Sequence, residues 1–310
     1  MRTWRDDPRR TPPDRQGGGR PHGRGVARGR GARFSVARLC VARFAVALVA
    51  AAAGLACGTA SEDEEVRLGR ETARQVSAQM PRLDDPVVAG YVDSLGSAIA
   101  RRTARAGLAW HFAVVDTDVI NAFALPGGYV FVNRGLIARA RTMSELAGVL
   151  AHEVEHVVRR HSVEQLRKAQ RTQTGVSLVC SVTGWCEGTA ARVGLQVGGS
   201  LLFARFGREA EREADAGAFG NVVRAGIDPR GMRTFFAQLA AEEEVGGGGG
   251  RVGAWFADHP GTGERVAEIE RLLGAVPPDE LAALRADDAG YQRVRARLAA
   301  LPPAAAPTDR

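Results

Sequence analysis

The sequence of 310 residues is poor in aromatic side chains, at 6%, holds four cysteines and shows no internal repeat. With alanine and leucine abundant, so few aromatics lean the chain toward helix. Hydrophobic residues at 45% and charged residues at 25% are ordinary globular values, which excludes wholesale disorder. No uninterrupted apolar run reaches the roughly 20 residues that a bilayer span requires. Positive charge is also scarce once the start of the chain is set aside. Residues 1–57 hold twelve arginines against three aspartates, so the formal net charge of +7 belongs to them and the remainder lies near −2. A nucleic-acid partner therefore loses its main support.

The leader has two parts. Residues 1–33 are rich in Arg, Gly and Pro, and bury too little apolar surface to order themselves. Phe44 to Ala56 is then an apolar stretch of thirteen residues, preceded by Arg38 and Arg43 and closed by Gly54-Leu55-Ala56-Cys57. A basic region, a short apolar run and small residues before a cleavage point make a secretory signal. Cys57 after those small residues resembles the lipid-modified cysteine of bacterial lipoproteins, although Gly54 stands where Leu is usual. Of the other cysteines, Cys40 lies in the leader, while Cys180 and Cys186 either pair in an exported protein or remain as two buried thiols.

Helical spacing of Val66, Ala73, Val76 and Met80 predicts a helix from Glu62 to Met80. Asp85-Pro86 opens a second, with Val88, Tyr91, Val92, Leu95 and Ile99 as its stripe. Strands are expected over 111–115, 119–125 and 129–132, with Pro126-Gly127-Gly128 turning between the last two. Helix returns at Arg134 and, after Thr142, runs to about Arg160, with Ser144 as its cap. Residues 163–174 read as a polar helix, and Gly175 to Phe203 as a broken apolar hairpin or flap. Further helices are expected over 208–223, from Asp228-Pro229 to Glu244, and over 263–273. Gly246 to Gly250 is a flexible linker, and Leu281 to Leu301 carries a last helical pattern.

His152-Glu153-Val154-Glu155-His156 carries the chemistry. Residues four apart on a helix share a face, so both imidazoles reach one metal ion. Glu153, a step round the helix, is placed to take a proton from an activated water, the HExxH arrangement of zinc hydrolases. Leu146, Val149, Leu150 and Val157 make this an apolar helix suited to a domain centre. A catalytic site needs a third protein ligand and an open position. His161 does not supply it on a continuous helix, where it points about 140° away from His156, and is read as a helix-end hydrogen-bonding residue. A third His six residues on is absent, because Ser162 occupies that place and Arg159 stands where the accompanying Gly would be. Glu211 and Asp215 lie four apart and share a face, with Glu213 opposite. They suit a ligand and an outer partner, but a charged surface helix shows the same pattern.

Several spaced stretches then resemble one family: Asp85-Pro86 to Tyr91, Asn121-Ala122-Phe123-Ala124-Leu125-Pro126-Gly127-Gly128, the His152 motif with His161-Ser162, Arg208 to Asp215, Ala225 to Pro229, and His259-Pro260 with Arg265. Together they span residues 62–275. They are similar to the zinc metallopeptidases of the CAAX prenyl protease and heat-shock protease X type, in the soluble periplasmic branch with the assembly-enhancing and Loi-type lipoprotein proteases. The resemblance implies an α+β, mainly α, gluzincin-type fold with a small mixed sheet and the HExxH helix at its active site. It implies one Zn2+ per chain on His152, His156 and Glu211, with Glu153 and Asp215 in catalytic and supporting roles. It places His259 on a mobile loop near the metal, though a turn residue before Pro is the plainer reading. Asn121 to Leu125 becomes an edge strand onto which substrate adds. Gly207 replaces the Ser usual before Arg208.

The expected organisation is a leader over 1–57, a metallopeptidase domain over 58–275 and a C-terminal helix and tail over 276–310. The expected activity is endoproteolysis of misfolded or unassembled polypeptides, with His259 or Arg208 stabilising the oxyanion. The expected place is the periplasmic face of the outer membrane, held by a lipid anchor. A non-proteolytic assembly factor using the same cleft, or a structural metal-binding lipoprotein, are the alternatives.

Overall fold

The computed structural model describes residues 61–168, 206–246 and 253–304. All of these residues belong to one compact unit, Ala60–Arg310. The leader, the expected hairpin or flap over Gly175 to Phe203 with Cys180 and Cys186, and most of the expected Gly246–Gly250 linker lie outside the described residues.

Helix α1 (Glu62–Gln79) starts at a capping box: Ser61 Oγ accepts the Glu64 N–H, and the Glu64 carboxylate accepts the Ser61 N–H. Its Ala73 and Val76 pack with Val115, Leu125 and Phe131 on one face of the sheet. Helix α2 (Pro86–Ala100) begins at Asp85, whose Oδ1 accepts the amides of Val87 and Val88. The sheet holds β1 (His111–Val115), β2 (Ala122–Leu125) and β3 (Tyr129–Asn133) in the order β1-β3-β2. β1 runs parallel to β3 and β2 antiparallel to it, so β2 lies at an edge of a mixed sheet. β2 begins three residues later than the spacing predicts. Asn121, just before the strand, still accepts the Asn133 amide on its carbonyl, while its side-chain oxygen accepts the Ala122 amide and its Nδ2 donates to Asp258. The turn between β2 and β3 needs left-handed backbone at Gly127 and Gly128, with φ of 74° and 94°.

After α3 (Arg134–Arg139) comes α4 (Met143–Val158), buried along its whole length to Val157. Its cap is Thr142, whose hydroxyl accepts the Glu145 amide, and not Ser144, which lies inside the first turn. The helix also stops short of Arg160, because Arg160 takes left-handed backbone with φ of 61°. Among the described residues no other non-glycine has positive φ. Residues 161–168 then form a new helical stretch.

α4 is the central rod. It packs on α2, β2, α5 (Arg208–Arg224) and α6 (Arg230–Gly246), and α8 (Thr262–Leu273) closes over α5 and α6. One core runs through these elements and includes Leu146, Leu150, Phe219, Phe235 and Ile269. A short helix α7 (Gly253–Asp258), not foreseen from the spacing, sets Trp255 into that core. The C-terminal pattern divides in two. α9 (Pro278–Ala283) buries no residue, whereas α10 (Ala289–Ala300) buries Tyr291, Val294 and Leu298. Tyr291 ties this helix down by donating its hydroxyl to the carbonyls of Ile137 and Ala140.

Candidate metal centre

Because α4 is buried all round, His152, Glu153 and His156 reach the interior and none exceeds 0% exposure. α5 crosses beside α4 and brings Glu211 to the two imidazoles. His152 Nε2 and His156 Nε2 are 3.0 Å apart. Glu211 Oε2 lies 3.4 Å from the first and Oε1 lies 3.5 Å from the second. His259, next after α7, is buried as well, with Nδ1 3.3 Å from His152 Nε2 and 3.1 Å from Glu211 Oε1. These four side chains offer ligand atoms all within 4.8 Å of one another, the one such group among the described residues.

The group fits a tetrahedral cation. Zinc bonds of about 2.0 Å place ligand atoms about 3.3 Å apart, close to the separations just given. The lone pairs agree as well. Asp215 Oδ1 sits 2.9 Å from His152 Nδ1 and accepts the N–H there, which leaves Nε2 as an acceptor. Two acceptor nitrogens and a carboxylate face one point and call for a positive charge between them.

Glu153 is the orphan of the site. Neither carboxylate oxygen has a hydrogen bond, and His259 Nε2 stands 3.3 Å from Oε1 without hydrogen-bond alignment. Burial pushes its carboxyl above the usual range. Burial also drives His156 well below its ordinary value, as the neutral ligand form requires. For His152, burial and the Arg265 charge oppose protonation, but Glu211 and Asp215 outweigh them and push it up to about 9 when no cation is present. Burial acts to raise Glu211 and Asp215, and is outweighed: His259, Arg265 and His152 hold Glu211 down, and Arg265 and His152 hold Asp215 down.

Arg265, in the sequence no more than part of a motif, holds a central place in the structure. Its guanidinium is 2% exposed. It grips Asp215 with Nε to Oδ2 and Nη2 to Oδ1, both at 2.8 Å. Its Nη1 lies 3.0 Å from Glu211 Oε2, and its plane covers Phe236 at 4.2 Å. A charge count was the available signal. Three buried carboxylates (Glu153, Glu211, Asp215) exceed one divalent cation by one charge, so one further positive group had to stand nearby.

Other residues fall differently from expectation. His161 does not point away. The left-handed Arg160 costs about 1 kcal/mol and swings the chain so that His161 Nδ1 lies 2.9 Å from His156 Nδ1. Helix phase could not reveal this, because it presumes an unbroken helix. Arg208 is far from the expected oxyanion role: it is exposed and paired with Glu264. Gly207 caps α5 with no side-chain hydrogen bond. Glu213 stays on the outer side, with Oε2 3.3 Å from Arg159 and 3.4 Å from His161. Asp258 and Phe206 were also missed. Asn121 Nδ2 donates to Asp258 at 2.9 Å, and the Phe206 ring stacks on His156 at 3.9 Å.

A paired-histidine helix, an acidic helix beside it and a buried free carboxylate define a metallopeptidase-type centre. The model of peptidase family M48 matches residues 86–273, which is more than half of the chain. The chain belongs to peptidase family M48. It is similar to the beta-barrel assembly-enhancing protease of Yersinia pestis, at 35% identity over 59% of this chain and 39% of that protein. It is similar to the metalloprotease LoiP of Escherichia coli, at 31% over 53% of this chain and 63% of that protein. It is also similar to the mitochondrial metalloendopeptidase OMA1 of Schizosaccharomyces pombe, at 29% over 69% of this chain and 62% of that protein. The chain thus spans from about two fifths to just under two thirds of the length of these relatives.

Proposed function

We propose that this chain is a zinc-dependent endopeptidase of the bacterial cell envelope, with one ion on His152, His156 and Glu211. The observation that carries the reading is the convergence of those ligand atoms beside a buried Glu153 carboxylate that accepts no hydrogen bond. When bound, zinc would supply Lewis acidity, lowering the pKa of a water toward about 7 and polarising the scissile carbonyl. Glu153 takes the water's proton on its carboxylate and delivers it to the leaving amine. Asp215, anchored by Arg265, holds the proton on His152 Nδ1 and so keeps the ring in its ligating form.

The substrate is an unfolded or misassembled polypeptide, laid as an extended strand along β2. The edge position of β2 supports this, since a further strand adds at an edge once the Ala122 amide and the Ala124 carbonyl exchange their present partners, Asn121 Oδ1 and the Ser162 hydroxyl. Export by the leader, lipid attachment at Cys57 and a place at the periplasmic face of the outer membrane complete the reading. Support comes from the leader's pattern and from relatives whose names tie them to β-barrel assembly. Among the described residues no helix is long and apolar enough to cross a membrane.

A second reading, a structural metal site, is favoured by His259, which stands in the fourth ligand position. On the catalytic reading His259 withdraws to admit water and substrate, and is then placed to donate to the developing oxyanion. A structural site has no use for a buried free base. The two part on one experiment: zinc content and casein cleavage of wild type and Glu153→Gln, side by side. The variant keeps one zinc and loses at least about a hundredfold in rate. Equal cleavage by the variant refutes the mechanism. Zinc binding with no cleavage by wild type supports the structural site or a non-proteolytic assembly factor.

A further inference from the structure

The mechanism above uses Asp215 behind His152 and leaves the buried ring of His161 without a task. His156 is the second imidazole ligand, and it too must present a lone pair at Nε2. Its proton then sits on Nδ1. The group that faces that nitrogen is His161, with Nδ1 at 2.9 Å and ring centres 5.0 Å apart at 70°. We propose that His161 is a positioning residue for His156: its Nδ1 accepts the His156 Nδ1–H, and its own proton sits on Nε2, directed at Glu213 Oε2. The proposal rests on the zinc reading given above.

Three observations carry it. First, donor and acceptor must alternate along the line His156 Nδ1, His161 Nδ1, His161 Nε2, Glu213 Oε2. Only one arrangement satisfies both close contacts while leaving His156 Nε2 free. Second, the chain is bent to make the contact. Val158 ends the helix, Arg160 turns left-handed, and His161 opens the next helical stretch at 6% exposure. That turn is gripped from outside the site: Arg160 Nε donates to Glu65 Oε2 at 2.6 Å, and Arg105, bound to the same carboxylate, donates to the Val157 carbonyl. Third, α5 stands behind both imidazoles. It sends Asp215 to His152 directly and Glu213 to His156 through His161, with Glu211, two residues before Glu213, as a ligand. The two histidines thus have unequal supports, a carboxylate for one and a neutral ring for the other.

The test compares zinc affinity, by competition with a chromophoric chelator, for wild type, His161→Leu and His161→Asn. Asn sets its side-chain oxygen where Nδ1 stood and keeps the acceptor. Loss of an outer partner weakens zinc by roughly 10- to 100-fold, so His161→Leu falls by that factor and His161→Asn recovers most of it. A merely structural role would not distinguish an acceptor from an apolar group of similar size. The proposal is overturned if His161→Leu binds zinc within about threefold of wild type, or if His161→Asn falls as far as His161→Leu. Nitrogen–proton correlation spectra of zinc-loaded wild type decide the matter independently, even where the leucine variant does not fold. They show protons on His156 Nδ1 and His161 Nε2, and a proton on His161 Nδ1 overturns the assignment. Failure of the underlying reading looks different: wild type then binds no zinc, or His156→Ala leaves its affinity unchanged. Either result removes the proposal together with that reading.

Discussion

Replacing Arg265 with leucine removes the one guanidinium that faces both Asp215 and Glu211. The residue is buried, its bidentate grip on Asp215 has two contacts of 2.8 Å, and Glu211 lies 3.0 Å from the remaining nitrogen. Taking one partner from a buried pair leaves the other charge uncompensated, at a cost of about 3–5 kcal/mol. The cost is largest in zinc-free protein, where Glu211 and Asp215 both lose their nearest fixed cation. With zinc bound, the ion opposes Glu211 and only Asp215 is left short. Arg265→Leu is therefore expected to lose about 3–5 kcal/mol in chelator, or roughly 6–20 °C in Tm for a unit of this size. Excess zinc should recover part of that loss. Urea unfolding with and without zinc measures both quantities. A loss under about 1 kcal/mol in chelator, or a gap that zinc does not narrow, refutes the charge argument.

Two further outcomes follow from contacts away from the metal. Glu65 is buried between Arg105 and Arg160 and accepts the Gly127 amide. Burial resists its ionisation, yet those donors hold its carboxyl below the usual range. A lowered carboxyl stabilises the fold above the unfolded value of about 4.3 and loses that contribution as pH falls through the folded value. Glu65→Gln should thus cost about 1–3 kcal/mol at pH 7, less than a fully buried pair because both arginines reach solvent. The difference from wild type should close below about pH 4, and an unchanged difference from pH 7 to 3 contradicts the assignment. At Gly69 an added Cβ would stand 1.8 Å from the Pro126 carbonyl oxygen, a backbone atom with no rotamer to escape into. Gly69→Ala should lower stability by about 1–3 kcal/mol as α1 is pushed off the β2–β3 turn, and a loss under about 0.5 kcal/mol would mean the helix shifts freely.

Local pattern made much of the architecture readable. Asp85-Pro86 caps α2, the Pro126-Gly127-Gly128 turn sets β2 against β3, and the four-residue spacing of His152 and His156 puts two ring nitrogens at one point. Several misjudged positions share a cause, since they depend on a partner far along the chain. The Asn121 side chain bonds Asp258, 137 residues away, and α7 forms where Trp255 finds a place in the core. The final helical pattern divides because only its second half meets α2 and α3.

The amino-acid order determined on its own which helix would offer imidazoles and a base, because a periodicity of 3.6 residues links neighbours without reference to the rest of the molecule. Only the tertiary structure decided which outer groups complete the centre. Glu211 and Asp215 arrive because α5 packs on α4, Arg265 because α8 closes over them, and His161 because the backbone reverses at Arg160. Burying three carboxylates together demands compensating charge, and which residue supplies it depends on what the folded chain brings within about 3 Å, a distance that sequence separation does not measure.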